Sequence, residues 1–244
     1  MRERGSMGPA RMTALWLAID TATDVASVAV GALPDGVRAA RSVQGARQHA
    51  AQIVPLVHEV LALAAARVQD LTAVIVGDGP GSFTGLRIGW AAAKGLVQDR
   101  DLPLWAVPSL MGAAHAAARG DVGPVAACFD ALRGQVFGAV YAFPPGRVET
   151  LVAPALFTLA ELARVAPVRP LVVVGDGALR YAEDVVAWTG RAPLAFEAVA
   201  PVAASLLALP HGEQAGAEPW YGRPAEAQAK WEARHGRSLP HSAG

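Results

Sequence analysis

The sequence predicts an α/β protein made of two like-folded halves, and three observations carry that prediction. Short apolar, β-favouring runs alternate with longer segments of helical periodicity along the whole chain. A strand that ends in Asp and turns back as a hairpin occurs at Asp20 and again at Asp130. A strand running into Val-Gly-Asp-Gly and then a helix occurs at Val76-Gly77-Asp78-Gly79 and again at Val174-Gly175-Asp176-Gly177. The two signatures come in the same order in each half, as a duplicated unit would give.

Taken in order, residues 14–20 and 25–32 read as two strands joined by Asp20-Thr21-Ala22-Thr23-Asp24, and 37–43 as a third after the turn Pro34-Asp35-Gly36. A helix is expected over 48–66, with Pro55 kinking it or delaying its start. The run Ala73-Val74-Ile75-Val76 is a buried strand. It feeds the glycine-rich stretch Gly77 to Gly89, from which a small-residue helix leaves at Leu86. Ser82 and Thr84 are candidate caps for that helix. A strand at 104–107 and a helix at 109–118 close the first half. The second half repeats the scheme with strands at 125–129, 135–143, 147–152 and 171–174. Helices are expected at 159–164, from 177 to 188, and near 201–209. A tail helix is expected over 225–235.

Composition bounds the function. The chain has 244 residues, 53% of them apolar, and 21 basic against 21 acidic side chains. A zero formal charge argues against wholesale wrapping of nucleic acid or attraction to a membrane. The mean hydropathy of +0.31 is high and asks for a large core or a covered surface. A single cysteine, Cys128, lies in an apolar strand and reads as core, with a raised thiol pKa. No apolar run reaches the roughly 20 residues of a membrane span. Residues 1–11 read as a loose leader, with Met12 as a candidate start.

The glycine stretch fits neither common phosphate motif. A P-loop places Lys-Ser/Thr after its last glycine, but Leu86-Arg87 follow Gly85 here, and a dinucleotide fingerprint would need glycine at Thr84. Its backbone N–H groups at a helix start can hold an anion. A tight strand-to-helix turn is the competing reading.

Several strings together resemble one family: Ala18-Ile19-Asp20-Thr21-Ala22-Thr23, Gly79-Pro80-Gly81-Ser82-Phe83-Thr84-Gly85-Leu86-Arg87-Ile88-Gly89, Ala93-Lys94-Gly95-Leu96, Phe129-Asp130-Ala131-Leu132-Arg133, Val174-Gly175-Asp176-Gly177-Ala178, and the tail from Arg223 to Lys230. The chain resembles the TsaB (YeaZ) family from about residue 13 to about 236. The resemblance implies two related actin/Hsp70/sugar-kinase-like (ASKHA) domains at 12–120 and 121–218. It also implies a tail at 219–244 that packs back on the first domain. It departs from the family at Leu132, where an arginine is expected, and at Trp90, which is bulky for a small-residue helix.

The resemblance also implies a role. In that family the chain is a non-catalytic scaffold or activator in making N6-threonylcarbamoyladenosine beside the tRNA anticodon. It forms a heterodimer with a TsaD paralogue and works with a TsaE-type ATPase, in the cytoplasm. The paralogue carries a His-x-x-x-His metal pair; the corresponding stretch here holds His115 alone, and no catalytic or metal residue is assigned. His49 and His58 are not at helical spacing, and His211, His235 and His241 fall in loop or tail. Asp20, Thr21, Asp130, Gly175, Asp176 and Gly177 stand where the superfamily's kinases hold nucleotide, so vestigial ATP or ADP binding is one reading. Structural turns are the other.

A partner interface is expected on two helices, through Ile53, Val54, Val57 and Leu61 on the first and Gly85, Gly89, Ala92 and Ala93 on the second. Broad apolar coverage of the first and a small-residue stripe on the second favour close approach of another helix. Packing of that stripe on its own sheet is the alternative. The same surface would serve a homodimer when the partner is missing. Arg223, Lys230, Arg234, His235 and Arg237 read as a solvated face, with tRNA phosphate as the other reading. The competing functions are an ATP-dependent phosphotransferase using Asp20, Asp130 and the Gly175 loop, a metalloprotease, and a self-associating structural protein.

Overall fold

A computed structural model describes residues 14–33, 35–45, 49–118, 123–209, 214–216 and 218–223. The expected leader at 1–11 and tail helix at 225–235 lie outside the described residues, as do His211, His235 and His241. Strands β1 (Ala14–Asp20), β2 (Val25–Leu33) and β3 (Gly36–Gln44) form a meander. Helix α1 (His49–Leu63) returns the chain to β4 (Leu71–Gly77), which lies parallel to β1. Helix α2 (Phe83–Val97), strand β5 (Leu104–Val107) and helix α3 (Ser109–Ala117) follow. The second half contains β6 (Val125–Asp130), β7 (Val136–Ala142), β8 (Glu149–Phe157), α4 (Leu159–Val165), β9 (Val172–Val174), α5 (Asp176–Arg180), α6 (Ala182–Thr189) and α7 (Val202–Ala208).

The sheets have orders β3-β2-β1-β4-β5 and β8-β7-β6-β9. In each, an antiparallel meander is joined by a parallel strand beside its first member. The duplication read from the two motifs is therefore a duplication of topology, as the expectation of two related actin/Hsp70/sugar-kinase-like domains requires. Among the described residues the second sheet has four strands against five in the first. A single parallel bridge from Val174 to Leu194 stands where β5 pairs with β4 in the first.

Period-2 alternation sorts each strand between two cores. On one face of the first sheet, Leu17, Ile19, Val28, Val30, Val74 and Val76 pack under α1 and α2. On its other face Ala18, Ala29 and Ile75 meet α3 and α7, which also cover Phe129, Phe137 and Tyr141 of the second sheet. Ala126, Cys128, Val140 and Val173 point the opposite way, with Leu162 of α4, Ala178 of α5 and Val185 of α6. The order of layers is α1/α2, first sheet, α3/α7, second sheet, α4/α5/α6.

The middle layer is closely packed because its residues are small. A side chain at Gly112 of α3 would meet Leu206 Cδ2 at 2.6 Å and Val202 Cγ1 at 2.9 Å. Helix α7 belongs to the second half by sequence but packs on β1, β2 and β4 of the first. Its start is held by Ser27 Oγ on β2, which accepts the Ala203 N–H at 3.0 Å.

Several element boundaries differ from the sequence reading. Helix α1 starts ahead of Pro55 and runs through it; the proline is exposed, so water can serve the carbonyl it leaves open. Strand β8 extends to Phe157 through Pro154, which an edge strand tolerates because its outer N–H groups need no partner. The single helix expected from 177 to 188 is two, broken at Tyr181.

Candidate functional site

In a mixed α/β sheet the loops at the carboxyl ends of parallel strands converge, and ligands usually bind there. Here β1, β4 and β5 bring together the Asp20–Asp24 turn, the Gly77–Ser82 loop and Ser109. Strand register sets Ile19 beside Val76, so Gly77 lies beside Asp20. A Cβ on Gly77 would collide with the Asp20 carboxyl group and with Ser109 Oγ, and only glycine fits.

Asp20 is 1% exposed. Its Oδ2 accepts the Ser109 hydroxyl at 2.5 Å, and its Oδ1 accepts the Ala22 N–H at 3.3 Å. Ser109 Oγ in turn accepts the Gly79 N–H at 3.1 Å. Thr21 Oγ1 donates to the Gly85 carbonyl at 2.8 Å. The loop spends its other N–H groups similarly. Ser82 N–H donates to Ala22 O, Gly85 N–H to Ser82 Oγ, and Leu86 N–H to Ser82 O. Four N–H groups that could cradle an anion, those of Gly79, Ser82, Gly85 and Leu86, are thus committed to protein acceptors. Ser82 is the cap of α2; Thr84 lies inside the helix and is exposed.

The second half repeats this geometry with different partners. Asp176 Oδ1 accepts the N–H groups of Asp130 at 3.1 Å and Gly177 at 2.9 Å, and burial raises its pKa. Asp130 pairs with Arg180 at 3.1 Å and accepts the Leu132 N–H at 3.0 Å. Gly175 has φ +121°, and a Cβ there would strike the Cys128 carbonyl. The two Val-Gly-Asp-Gly motifs thus share one cause: glycine lets the end of the parallel strand press on the Asp-bearing strand beside it. The six residues expected at a nucleotide site fall into two separate clusters, Asp20 with Thr21 and Asp130 with Gly175, Asp176 and Gly177. Each is occupied by bonds within its own half.

The residues expected to face a partner are distributed differently from the expectation. Ile53, Val57 and Leu61 are 3–4% exposed and belong to the core between α1 and the first sheet. Gly85 and Gly89 face Thr21, whose carbonyl and hydroxyl respectively occupy the places of their missing side chains; Ala93 is fully buried. The small-residue stripe packs on its own β1–β2 turn. Only Val54, 55% exposed, and the half-buried Ala92 reach the surface. The outer face of the helix pair carries Val54, Leu63 and Ala91 with the polar His58, Glu59 and Lys94, while Phe83 and Arg87 lie at the start of α2 beside residues 218–223. Alternating exposure could not assign these sides from sequence, because apolar and small residues occur all round both helices. Trp90 is also core, 3% exposed, with Nε1 donating to Gly77 O at 3.3 Å.

Residues 218–223, at the start of the tail expected to pack back on the first domain, form a strap whose contacts with the second half sequence reasoning did not foresee. Trp220 N–H donates to Asp78 O at 3.0 Å and to Asp78 Oδ1 at 3.2 Å. Tyr221 packs on Phe83 at 4.7 Å between ring centroids. Arg223 donates to Ala131 O at 3.1 Å and lies over the Phe137 ring. The strap therefore ties the glycine loop of the first half to the Asp130 turn of the second. Partial burial pushes the Asp78 pKa from 3.8 up to about 6. A raised carboxyl pKa means the folded chain holds its proton more tightly than the unfolded chain, so stability falls as pH rises from about 4 through 6. Asp78→Asn keeps an acceptor for Trp220 and removes that loss. Its expected gain is about 1–2 kcal/mol at pH 7, reduced from the full conversion by solvent screening of a half-buried group, and about zero at pH 4. Urea unfolding at the two pH values measures it.

Among the described residues no group of three or more His, Cys, Asp or Glu side chains could hold a metal ion. Burial pushes the Cys128 thiol up to about 12, leaving it protonated and unreactive at neutral pH. No helix among the described residues is long and apolar enough to cross a membrane.

The family described as TsaD, tRNA N6-adenosine threonylcarbamoyltransferase, matches residues 43–182. The tRNA threonylcarbamoyladenosine biosynthesis protein TsaB of Bacillus subtilis is 34% identical over 224 residues, covering 88% of this chain and 96% of that protein. The Escherichia coli protein of the same name is 40% identical over 126 residues, 51% of this chain and 54% of that protein. The match thus spans about half the length of the second relative and nearly all of the first. Among solved structures, YeaZ from Pseudomonas aeruginosa superposes with a TM-score of 0.66 at 27% identity, covering 80% of this chain and 90% of that one. Another Pseudomonas aeruginosa structure, of a protein described as similar to peptidase YeaZ, gives 0.70 at 27% identity, covering 86% and 100%.

Proposed function

Because the chain belongs to the TsaB (YeaZ) family, we propose that it is a non-catalytic subunit of the cytoplasmic machinery that places threonylcarbamoyl on N6 of the adenosine beside the tRNA anticodon. The near end-to-end match to a protein named for threonylcarbamoyladenosine biosynthesis carries the proposal. In this reading the chain pairs with a TsaD-type paralogue, which performs the transfer, while a TsaE-type ATPase and tRNA engage the complex. The chain's own chemistry supports the division of labour. Asp20, the residue a phosphotransferase would aim at a metal or water, is sealed under Gly77 and Ser109, and the loop's N–H groups are engaged internally.

The partner surface that fits best is the outer face of α1 and α2, with exposed Val54 and Leu63 set among Ala51, Pro55, Ala62 and Ala91. The small side chains let a second helix pair lie close, and exposed His58, Glu59 and Lys94 add polar groups for it to meet. Light scattering after size exclusion tests this, on the chain alone and mixed with the paralogue from the same source. The expected result is a one-to-one complex that replaces any homodimer, with Val54→Asp weakening it about tenfold by burying an unpaired charge. A chain that stays apart from the paralogue at micromolar concentration overturns the reading, and ATP-hydrolysis assays on the isolated protein then become the test of the phosphotransferase alternative.

A further inference from the structure

The strap, the start of α2 and the β6–β7 turn meet at one surface, and its chemistry is unlike the rest of the chain. Phe83 and Trp220 are 49% and 43% exposed, and Tyr221 of the strap packs on the Phe83 ring. The Arg87 guanidinium stacks over the Phe83 ring at 5.3 Å, and that of Arg223 over Phe137 at 5.7 Å. Arg133 stands in the turn two residues after Ala131, whose carbonyl accepts from Arg223. None of Arg87, Arg133 and Arg223 forms an ion pair among the described residues. The neighbouring carboxyl groups are largely spoken for: Asp130 pairs with Arg180, and Asp78 is half-buried and accepts a hydrogen bond from Trp220. Glu218 is exposed at one end of the strap.

The backbone of the turn adds a second, independent sign. Leu132 and Arg133 both adopt left-handed conformations, with φ +64° and +54°, followed by Gly134 at +80°. Turns of this shape ordinarily use Gly, Asn or Asp, because a Cβ is disfavoured there. The chain instead keeps an exposed arginine at a position where glycine would fold more easily, and retained strain of this kind marks surfaces with an outward task.

We propose that this surface, formed by Phe83, Arg87, Arg133, Trp220, Tyr221 and Arg223, binds an RNA strand directly. The exposed Trp220 ring offers a face on which a base stacks without sequence preference, Phe83 and Tyr221 extend the apolar platform beside it, and guanidinium groups that form no ion pair among the described residues match the phosphates. A protein partner also favours Trp, Tyr and Arg. However, three cations that form no ion pair among the described residues, set beside rings with the single exposed carboxylate of Glu218 at the edge, fit a polyanion of stacked bases better. That the RNA is a tRNA rests on the function proposed above.

Fluorescence anisotropy with a labelled, unmodified tRNA transcript tests the proposal, using the full chain alone and with its paralogue, over roughly 50–200 mM salt. The variants are Trp220→Ala and Arg133→Gly; the second suits its left-handed backbone and keeps the fold. Each is expected to weaken RNA binding about fivefold, and the pair more than tenfold. Arg133→Gly should also flatten the slope of log affinity against log salt by about 0.7–0.9. Association with the paralogue, followed separately by size exclusion, should stay unchanged. The proposal is overturned if the wild-type chain binds no RNA in either form, or if the double variant binds it as wild type does. Loss of the paralogue complex with unchanged RNA affinity also overturns it, and assigns the surface to protein contact. RNA binding by a chain that forms no complex leaves this surface standing while removing the tRNA-modification reading.

Discussion

Gly89→Ala is expected to lower stability by about 2–3 kcal/mol, a loss of roughly 4–12 °C in Tm for a chain of this size. The sign is informative. Alanine in the middle of a helix ordinarily gains up to about 1 kcal/mol over glycine. At position 89 the added methyl would lie inside the contact distance of Thr21 Oγ1, whose proton is donated to Gly85 O. The hydroxyl cannot retreat without breaking that bond or moving the β1–β2 turn, so overpacking outweighs propensity. Thr21→Ala removes the obstructing oxygen, and in that background the same substitution should cost little. A double-mutant cycle by urea unfolding reads the coupling, expected at about 2 kcal/mol. A Gly89→Ala chain of wild-type stability that failed to bind the paralogue would reverse the assignment and return Gly89 to an intersubunit surface.

Asp20→Ala is expected to destabilise the chain by about 2–4 kcal/mol whatever its effect on any activity. The substitution strands the Ser109 hydroxyl and the Ala22 N–H in a site that is 1% exposed, and leaves a cavity under Gly77. Ser109 also accepts from Gly79, so the glycine loop loosens with it. An enzyme that used Asp20 on a metal-bound nucleotide would behave differently. Its Asp20→Ala form would keep its stability and lose ATP turnover that the wild-type protein possesses. Measuring unfolding free energy and ATP hydrolysis on the same preparations separates a structural turn from a phosphotransferase site.

The elements themselves were largely legible in the sequence. The Asp20 and Asp130 hairpins, the two Val-Gly-Asp-Gly turns and the α2 cap at Ser82 all follow from local rules of period, turn residue and capping. The misplacements were local too. Pro154 hid the second half of β8 because proline in a strand is acceptable only at an edge, and edge position is a property of the sheet. The break between α5 and α6 carries no glycine or proline to announce it.

Which side of each element faces inward lay beyond the sequence. Ile53, Val57, Leu61, Gly85 and Gly89 looked available to a partner because α1 and α2 are apolar or small on more than one face. Their burial depends on where β1, β4 and the β1–β2 turn lie beneath them. The strap at 218–223 offered no periodicity at all, and its contacts with Asp78 and Ala131 span 142 and 92 residues of sequence.

By itself, then, the sequence determined a duplicated α/β topology, the turns that build it and the family to which the chain belongs, because these rest on backbone conformations and strand periods that a few neighbouring residues dictate. Only the tertiary structure decided that the Asp20 turn is sealed by Gly77 and Ser109, that α7 crosses back onto the first sheet, and that the strap gathers rings and arginines from three distant segments. Those outcomes depend on close approach between residues far apart in the chain, where excluded volume and hydrogen-bond partners choose among surfaces that look alike in one dimension.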